Sequence, residues 1–131
     1  MIVVDTSAMV AIVRREQDAD SFRQRLAASS QKIMSALNVL ETRVVLGHGR
    51  ATPAVAVFEA WLKTDAVEVV ALDGAMADAA FAAYVRYGKG VHPRARLNLS
   101  DCAAYALAKT RNAPLLFKGA DFRHTDVTPA L

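Results

Sequence analysis

Short apolar segments alternate with longer helical ones along this chain, and that alternation constrains its fold more than any other feature. The apolar segments have the composition of buried strands and lie at residues 2–4, 32–34, 67–72 and 115–117. A fifth strand is predicted near Val127. The segments between them are predicted to be helices, at residues 6–15, 18–28, 36–47, 53–64, 74–87 and 101–110. This order predicts an α/β domain with a mostly parallel central sheet, whose ligand sites lie outside the carboxyl ends of the strands.

Composition limits the protein class. The chain has 131 residues, which is the usual size of one domain, so residues 1–131 are predicted to form a single domain. Hydrophobic residues make up 53% of the chain and charged residues 22%, which excludes a disordered protein. The net charge of +3 is compatible with a nucleic-acid partner but does not require one. Cys102 is the only cysteine, which excludes an internal disulfide, and no apolar stretch is long enough for a bilayer, so a cytoplasmic protein is expected.

Two aspartates follow predicted strands. Asp5 comes directly after the first strand, in the run IVVDT, and Asp121 follows the fourth after a Lys-Gly-Ala turn. In a parallel sheet both would lie at the same edge, where sites form. Each also has a simpler interpretation, because an aspartate just before a helix most often caps it.

Two further acids lie on predicted helices. A helical wheel places Glu41 among apolar residues of its helix, namely Leu37, Leu40, Val44 and Val45. A carboxylate there must be paired or coordinated, so an ion pair with arginine, a helix rotated to bring Glu41 to the rim, and a metal ligand all remain open. Asp101 begins a helix that is apolar on nearly every face, and with Asn98 it has the spacing of a capping box.

Together the four carboxylates favour a metal site. Several carboxylates at one sheet edge repel one another, and a hard divalent cation is the simplest way to hold them together. Oxygen ligands suit Mg²⁺ or Mn²⁺ rather than zinc. Such an ion suits phosphodiester hydrolysis, because it activates water and neutralises the charge that develops on the phosphate.

Four blocks of the chain, in order, resemble a known family. They are VVDTSA, ETR within an apolar helix, LNLSDCAAYALA and PLLFKGADF. Their order and spacing resemble the PIN-domain ribonucleases, and more narrowly the VapC-type toxins of bacterial type II toxin–antitoxin pairs. The resemblance covers essentially the whole chain. It implies a three-layer α/β/α fold and Mg²⁺- or Mn²⁺-dependent endonucleolytic cleavage of RNA.

The resemblance also implies roles for individual residues. Four acids match the acidic quartet of the family, which would hold the metal and act in catalysis: Asp5, Glu41, Asp101 and Asp121. Asp126 is the alternative fourth acid, and Asp121 is favoured because it directly follows the strand and turn. Thr6 and Ser7 match hydroxyl positions that would orient water or phosphate, and Asn98 matches a polar position at the rim of the site.

The family further implies macromolecular partners. These are an RNA substrate, a second copy of the toxin, and a small DNA-binding antitoxin whose C-terminal segment wraps the toxin and blocks its cleft. The apolar helices after residue 35 would supply a dimer surface. In the glycine-rich loop at residues 88–100, Lys89, Arg94 and Arg96 would contact the RNA backbone, although an ordinary solvated loop has the same composition.

Two other functions are compatible with these residues. A phosphoacceptor receiver domain also uses an acid at a sheet edge, Mg²⁺ and a lysine, here Lys118, but strand one ends in a single acid rather than an acidic pair. A non-catalytic nucleic-acid-binding protein would use the four acids only as helix caps and ion-pair partners.

Overall fold

A four-stranded parallel sheet organises the protein, described for residues 1–131 by a computed structural model. The strands are β1 (Ile2–Val4), β2 (Lys32–Ser35), β3 (Glu68–Val70) and β4 (Leu115–Leu116). They lie in the order β3-β2-β1-β4, and every neighbouring pair is parallel. The chain adds β2 and β3 on one side of β1 and β4 on the other. The crevice at the carboxyl end of β1 is therefore the switch point at which such folds bind ligands.

Six α-helices surround the sheet. They are α1 (Thr6–Val13), α2 (Ala19–Ala27), α3 (Ala36–Gly47), α4 (Pro53–Thr64), α5 (Gly74–Tyr87) and α6 (Leu99–Thr110). A 3₁₀ turn follows β4 at Asp121–His124. Side-chain caps begin five of the helices, and the capping residues are Asp5 for α1, Ser35 for α3, Thr52 for α4, Asp73 for α5 and Asn98 for α6. None of the helices combines the length and the apolar character needed to cross a lipid bilayer.

Two hydrophobic cores lie on opposite faces of the sheet. Side chains alternate along each strand, so Val3 belongs to one core while Ile2 and Val4 belong to the other. The first core is formed with α5 and α6, and the second with α1 to α4. As predicted, α6 is buried along most of its length. The result is the predicted three-layer α/β/α architecture with a parallel central sheet.

The predicted fifth strand is wrong. The segment near Val127 forms no strand, and a single bridge joins Leu115 to Pro129. The backbone N–H of Leu115 donates to the carbonyl of Thr128 at 2.9 Å, and Ala130 donates back to Leu115 at 2.9 Å. Proline has no N–H to donate, which limits how far this pairing can extend.

Helix α3 ends at residue 47 as predicted, but the cause of the stop differs. Glycine is the usual residue to end a helix, yet here His48 ends it with a left-handed φ of 48°. A Cβ on Gly47 would lie 3.0 Å from Cγ2 of Val55. The glycine therefore permits close packing of α3 on α4, and the stop itself belongs to His48.

Candidate active site

An acidic cleft opens at the carboxyl end of β1. Its inner part has a volume of about 380 Å³ and is lined by Asp5, Thr6, Ser7, Val10, Glu16, Glu41, Val45, Asn98, Asp101 and Lys118. Its outer part has a volume of about 290 Å³ and is lined by Lys89, Arg96, Asn98, Asp101 and Asp121. Asn98 and Asp101 line both parts, so the two parts adjoin each other. All four predicted acids therefore line these adjoining parts of the cleft, at the sheet edge that the sequence predicts.

Asp5 lies at the base of the cleft with only 2% of its surface exposed. Ser7 donates its backbone N–H at 2.9 Å and its hydroxyl at 2.6 Å to Oδ2 of Asp5. The Ser7 hydroxyl oxygen in turn accepts the backbone N–H of Lys118 at 2.9 Å. Burial raises the pKa of Asp5 to about 6, against the lowering effect of the Ser7 hydrogen bonds, and the charge of Glu41 raises it further. Asp5 is thus both the predicted cap of α1 and a carboxylate in the cleft.

Asn38 connects Asp5 to the elements around it, and the sequence analysis missed it. This residue of α3 is completely buried, and its Nδ2 lies 3.3 Å from Oδ1 of Asp5. The same nitrogen donates to Oγ1 of Thr6 and to the carbonyl of Ser100, both at 3.2 Å. The hydroxyl of Thr6 donates to the carbonyl of Asn38 at 3.2 Å. One buried amide therefore joins the end of β1, the start of α1 and the first turn of α6.

Glu41 lies at the rim of the cleft. The helical wheel predicts that the apolar residues around Glu41 are buried, but α3 is rotated so that a different face is buried. The buried face of α3 carries two polar residues, and its buried residues are Asn38, Val39, Thr42, Leu46 and Gly47. Leu40 and Val44 are more than half exposed. Glu41 forms no ion pair; it accepts a hydrogen bond from the hydroxyl of Ser100 instead. An ion pair with arginine, one of the three interpretations of Glu41, is therefore wrong.

Asp101 completes the capping box at the start of α6 and also faces the cleft. Its backbone N–H donates to Oδ1 of Asn98 at 2.8 Å, and the N–H of Asn98 donates to Oδ2 of Asp101 at 3.0 Å, which confirms the predicted capping box. Burial raises the pKa of Asp101 to about 7. The hydrogen bond from Asn98 lowers the pKa, whereas the negative charges of Asp5, Glu41 and Asp121 raise it. Asp101 therefore experiences the electrostatic field of the other three acids.

The two alternatives for the fourth acid lie in different surroundings. Asp121 is exposed and lines the outer part of the cleft. Asp126 accepts the hydroxyl of Tyr105 and pairs with Lys109 at 3.2 Å and with Arg86 at 3.6 Å. Asp126 is thus held in a cationic cluster and lines neither part of the cleft.

The donor set of the cleft fits a hard divalent cation. The carboxylates supply only oxygen ligands. Burial is the main cause of the raised pKa values of Asp5 and Asp101, and repulsion from the neighbouring acids, which a cation would relieve, adds to it. No three of these side chains approach closely enough in this structure to ligate one ion together. Mg²⁺ commonly binds through one or two carboxylates and keeps several water molecules, so the arrangement remains suitable for it.

The family model described as PIN domain matches residues 2–127 of the chain. The chain belongs to the PIN-domain family. This PIN-domain protein is 47% identical to the ribonuclease VapC of Mycolicibacterium smegmatis over 126 residues, which is 96% of this chain and 97% of that protein. It is 46% identical to the ribonuclease VapC30 of Mycobacterium tuberculosis over 126 residues, which is 96% of this chain and 95% of that protein.

Two solved structures share the fold of this PIN-domain protein. The first is the Mycobacterium tuberculosis toxin VapC20, described as cleaving the sarcin–ricin loop, with a TM-score of 0.80 and 18% identity over 98% of this chain and 97% of that one. The second is a toxin–antitoxin complex from Klebsiella pneumoniae, with a TM-score of 0.72 and 16% identity over 96% of this chain and 93% of that one. These comparisons confirm the family and the fold inferred from the four sequence blocks.

The receiver-like alternative loses its support in this PIN-domain protein. The Nζ atom of Lys118 lies 2.6 Å from Glu16 and 3.2 Å from Asp18, so it is paired away from Asp5. Only its backbone N–H points into the site, through Ser7. The lysine therefore does not play the part that a phosphoacceptor site requires.

Proposed function

We propose that this PIN-domain protein is a metal-dependent endoribonuclease and the toxin of a type II toxin–antitoxin pair. The observation that carries the proposal is the common cleft of Asp5, Glu41, Asp101 and Asp121 at the switch point of the sheet. Full-length relatives at 46% and 47% identity are named ribonucleases, which supports RNA as the substrate class. Because RNA is the proposed substrate, we expect the protein to act in the cytoplasm.

Mg²⁺ or Mn²⁺ would bind among the four carboxylates, with one or two of them as direct ligands. Asp5 is the fixed ligand, since Ser7 and Asn38 hold both of its oxygens in place from behind. Asp101 is fixed by its capping box at the junction of the two parts of the cleft. A bound divalent ion would supply Lewis acidity that activates water and neutralises charge on the scissile phosphate.

The protein groups contribute orientation and proton transfer. Ser100 holds Glu41 through its hydroxyl, so that this carboxylate faces the cleft from α3. A carboxylate in that position can accept the proton of the attacking water. The hydroxyls of Thr6 and Ser7 are directed to protein groups, so we assign to them the positioning of α1 and Asp5. Asn98 places Asp101 and lines both parts of the cleft.

The test is RNA cleavage by the purified protein freed from any antitoxin. A structured RNA should be cut in the presence of Mg²⁺ or Mn²⁺, and EDTA should stop the reaction. Asp5→Asn and Asp101→Asn should each lower the rate by at least about a hundredfold. Asp126→Asn is the matched control, because it removes the same charge from a carboxylate outside the cleft. Equal activity in Asp101→Asn and Asp126→Asn would refute the assignment.

An antitoxin partner is part of the proposal. A groove of about 370 Å³ between α1, α2 and α4 is mainly apolar, and its walls include Met9, Ile12, Leu26 and Trp61. Arg15, Arg23 and Asp65 supply its charged groups, so an amphipathic segment could lie there with its apolar side inward. The toxin–antitoxin complex with the same fold supports such a partner.

A homodimer is also proposed. Large apolar side chains remain more than half exposed on α3 and α5, at Leu40, Val44, Phe81 and Val85. Both helices contact α6, although they pack on opposite faces of the sheet. Exposed apolar clusters of this kind favour a protein interface.

A further inference from the structure

The outer part of the acidic cleft combines two cations with two acids. It is lined by Lys89, Arg96, Asn98, Asp101 and Asp121, with no apolar residue. Neither Lys89 nor Arg96 forms an ion pair or a side-chain hydrogen bond with any protein group. Both cations lie beside carboxylates but do not pair with them. Their side-chain N–H groups are therefore free to bind a ligand in the cleft.

The backbone at Arg96 is strained at this point. Its φ is 54°, in the left-handed region that residues with a Cβ rarely adopt. The neighbours on both sides, Ala95 and Leu97, are completely buried and fix the backbone there. Leu97 also bonds to both Tyr87 at 3.0 Å and Lys89 at 2.9 Å. The fold therefore holds an arginine at the rim of the acids where glycine would be the relaxed choice.

The inner part of the cleft contains no such free cation. Lys118 lines the inner part, but its Nζ atom is shared between Glu16 and Asp18, at 2.6 Å and 3.2 Å. Glu16 itself lines that end and adds a negative charge. Arg15 lies beyond Glu16 in a neighbouring pocket and does not line this part. Within the cleft itself, the unpaired cations therefore lie on the Arg96 side.

We propose that Arg96, assisted by Lys89, binds an RNA phosphate on one flank of the scissile bond. The arginine guanidinium can donate two parallel hydrogen bonds to a phosphate, and Lys89 adds a second positive charge. The RNA is thus anchored on the Arg96 side of the acids, while the Lys118 side contributes no comparable contact. This inference rests on the proposed ribonuclease function and adds the polarity with which the substrate is held.

The first test compares the same substitution at two exposed arginines. Arg50 is exposed, forms no ion pair, and lines neither part of the acidic cleft nor the apolar groove. Arg96→Gly should raise the thermal unfolding midpoint by roughly 2–4 °C, because it relieves a left-handed backbone, so weaker binding by this variant would not come from unfolding. Binding is measured by fluorescence anisotropy in EDTA with a fluorescein-labelled 12-nucleotide RNA pool of mixed sequence.

The RNA measurements separate the two variants. Arg96→Gly should weaken binding about tenfold and reduce the slope of log affinity against log salt by about 0.7, as expected for one lost phosphate contact on a single strand. Arg50→Gly should leave both values unchanged. If Arg96→Gly keeps the affinity and the salt slope of the wild type, and the wild-type protein cleaves RNA, this inference is overturned while the proposed function stands. Absence of both binding and cleavage in the wild-type protein would overturn the proposed function and, with it, this inference.

The second test addresses polarity. Once a cleavage site is mapped in the structured RNA, short substrates are truncated on its 5′ or its 3′ side. One of the two truncations should lower kcat/KM of the wild-type protein about tenfold and have no further effect in Arg96→Gly. Equal losses from both sides, or a loss that persists in Arg96→Gly, would contradict binding from one flank.

Discussion

At the scale of single residues, the acids of the cleft depend on an amide that carries no charge. Asn38 is completely buried and donates to Asp5, Thr6 and the backbone of Ser100. Its own Oδ1 has no hydrogen-bond partner. A buried polar group left partly unsatisfied reduces stability. An asparagine at this position is explained, despite that cost in stability, if its main role is to hold Asp5 in place for function.

Asn38→Leu tests this role. The leucine has a similar volume but donates no hydrogen bond, so Asp5 loses its contact to α3. We expect RNA cleavage to fall about 10- to 100-fold, as is typical when the group that orients a metal ligand is removed. Denaturant unfolding should show a loss of roughly 1–3 kcal/mol in stability.

Thr42→Val is the matched control for Asn38→Leu. Thr42 is equally buried on the same face of α3, and its hydroxyl donates to the carbonyl of Asn38 at 2.7 Å without touching an acid. The control should lose stability but keep wild-type cleavage. Equal losses of cleavage in the two variants would show that Asn38 acts only through stability.

At the scale of secondary structure elements, the sequence predicts where helices and strands begin better than which way they face. Asp5 caps its helix and Asn98 forms a capping box with Asp101, as predicted, since capping depends on neighbouring residues alone. The orientation of α3 depends on its contacts with α1, α4 and α6, which lie far away in sequence. For this reason the helical wheel put Glu41 in a buried stripe and missed Asn38, the polar residue three positions earlier on the face that is actually buried.

The end of α3 permits a simple stability test. His48 has a φ of 48°, and its backbone N–H bonds to the carbonyl of Val44 at 2.8 Å. His48→Gly should stabilise the protein by about 0.5–1 kcal/mol, because glycine adopts this backbone without steric strain. His48→Ala retains the Cβ and should give no gain. Denaturant unfolding curves measure both, and a gain in the alanine variant would assign the effect to the imidazole instead.

At the scale of the whole molecule, the site is a consequence of strand order. β1 lies between β2 and β4, which brings Asp5 together with residues of α3 and with the segment that follows β4. The alternation of strands and helices predicts the sheet edge but not the order β3-β2-β1-β4. The sequence therefore indicates that Asp5 and Asp121 share an edge, whereas the strained backbone of Arg96 and the pairing of Lys118 follow from long-range packing.

The whole molecule also carries the electrostatic penalty of the cleft. The pKa of Asp101 is raised from 3.8 to about 7, so the folded protein retains a proton that the unfolded chain loses. Its ionisation therefore opposes folding progressively from about pH 4 to pH 7, and fully above pH 7. A divalent cation bound to the folded state would offset this penalty at high pH, and protons would displace it at low pH.

The central claim is tested most directly by thermal unfolding. The midpoint is measured for the wild-type protein, Asp101→Asn and Asp126→Asn, each with Mn²⁺ or EDTA, at pH 8 and at pH 4.5. In EDTA at pH 8, Asp101→Asn should unfold several degrees above the wild type, and the difference should shrink at pH 4.5. Millimolar Mn²⁺ at pH 8 should raise the midpoint of the wild type and of Asp126→Asn by several degrees, but not that of Asp101→Asn. An equal Mn²⁺ shift in all three proteins, or no shift in the wild type, would contradict a metal centre built on these carboxylates.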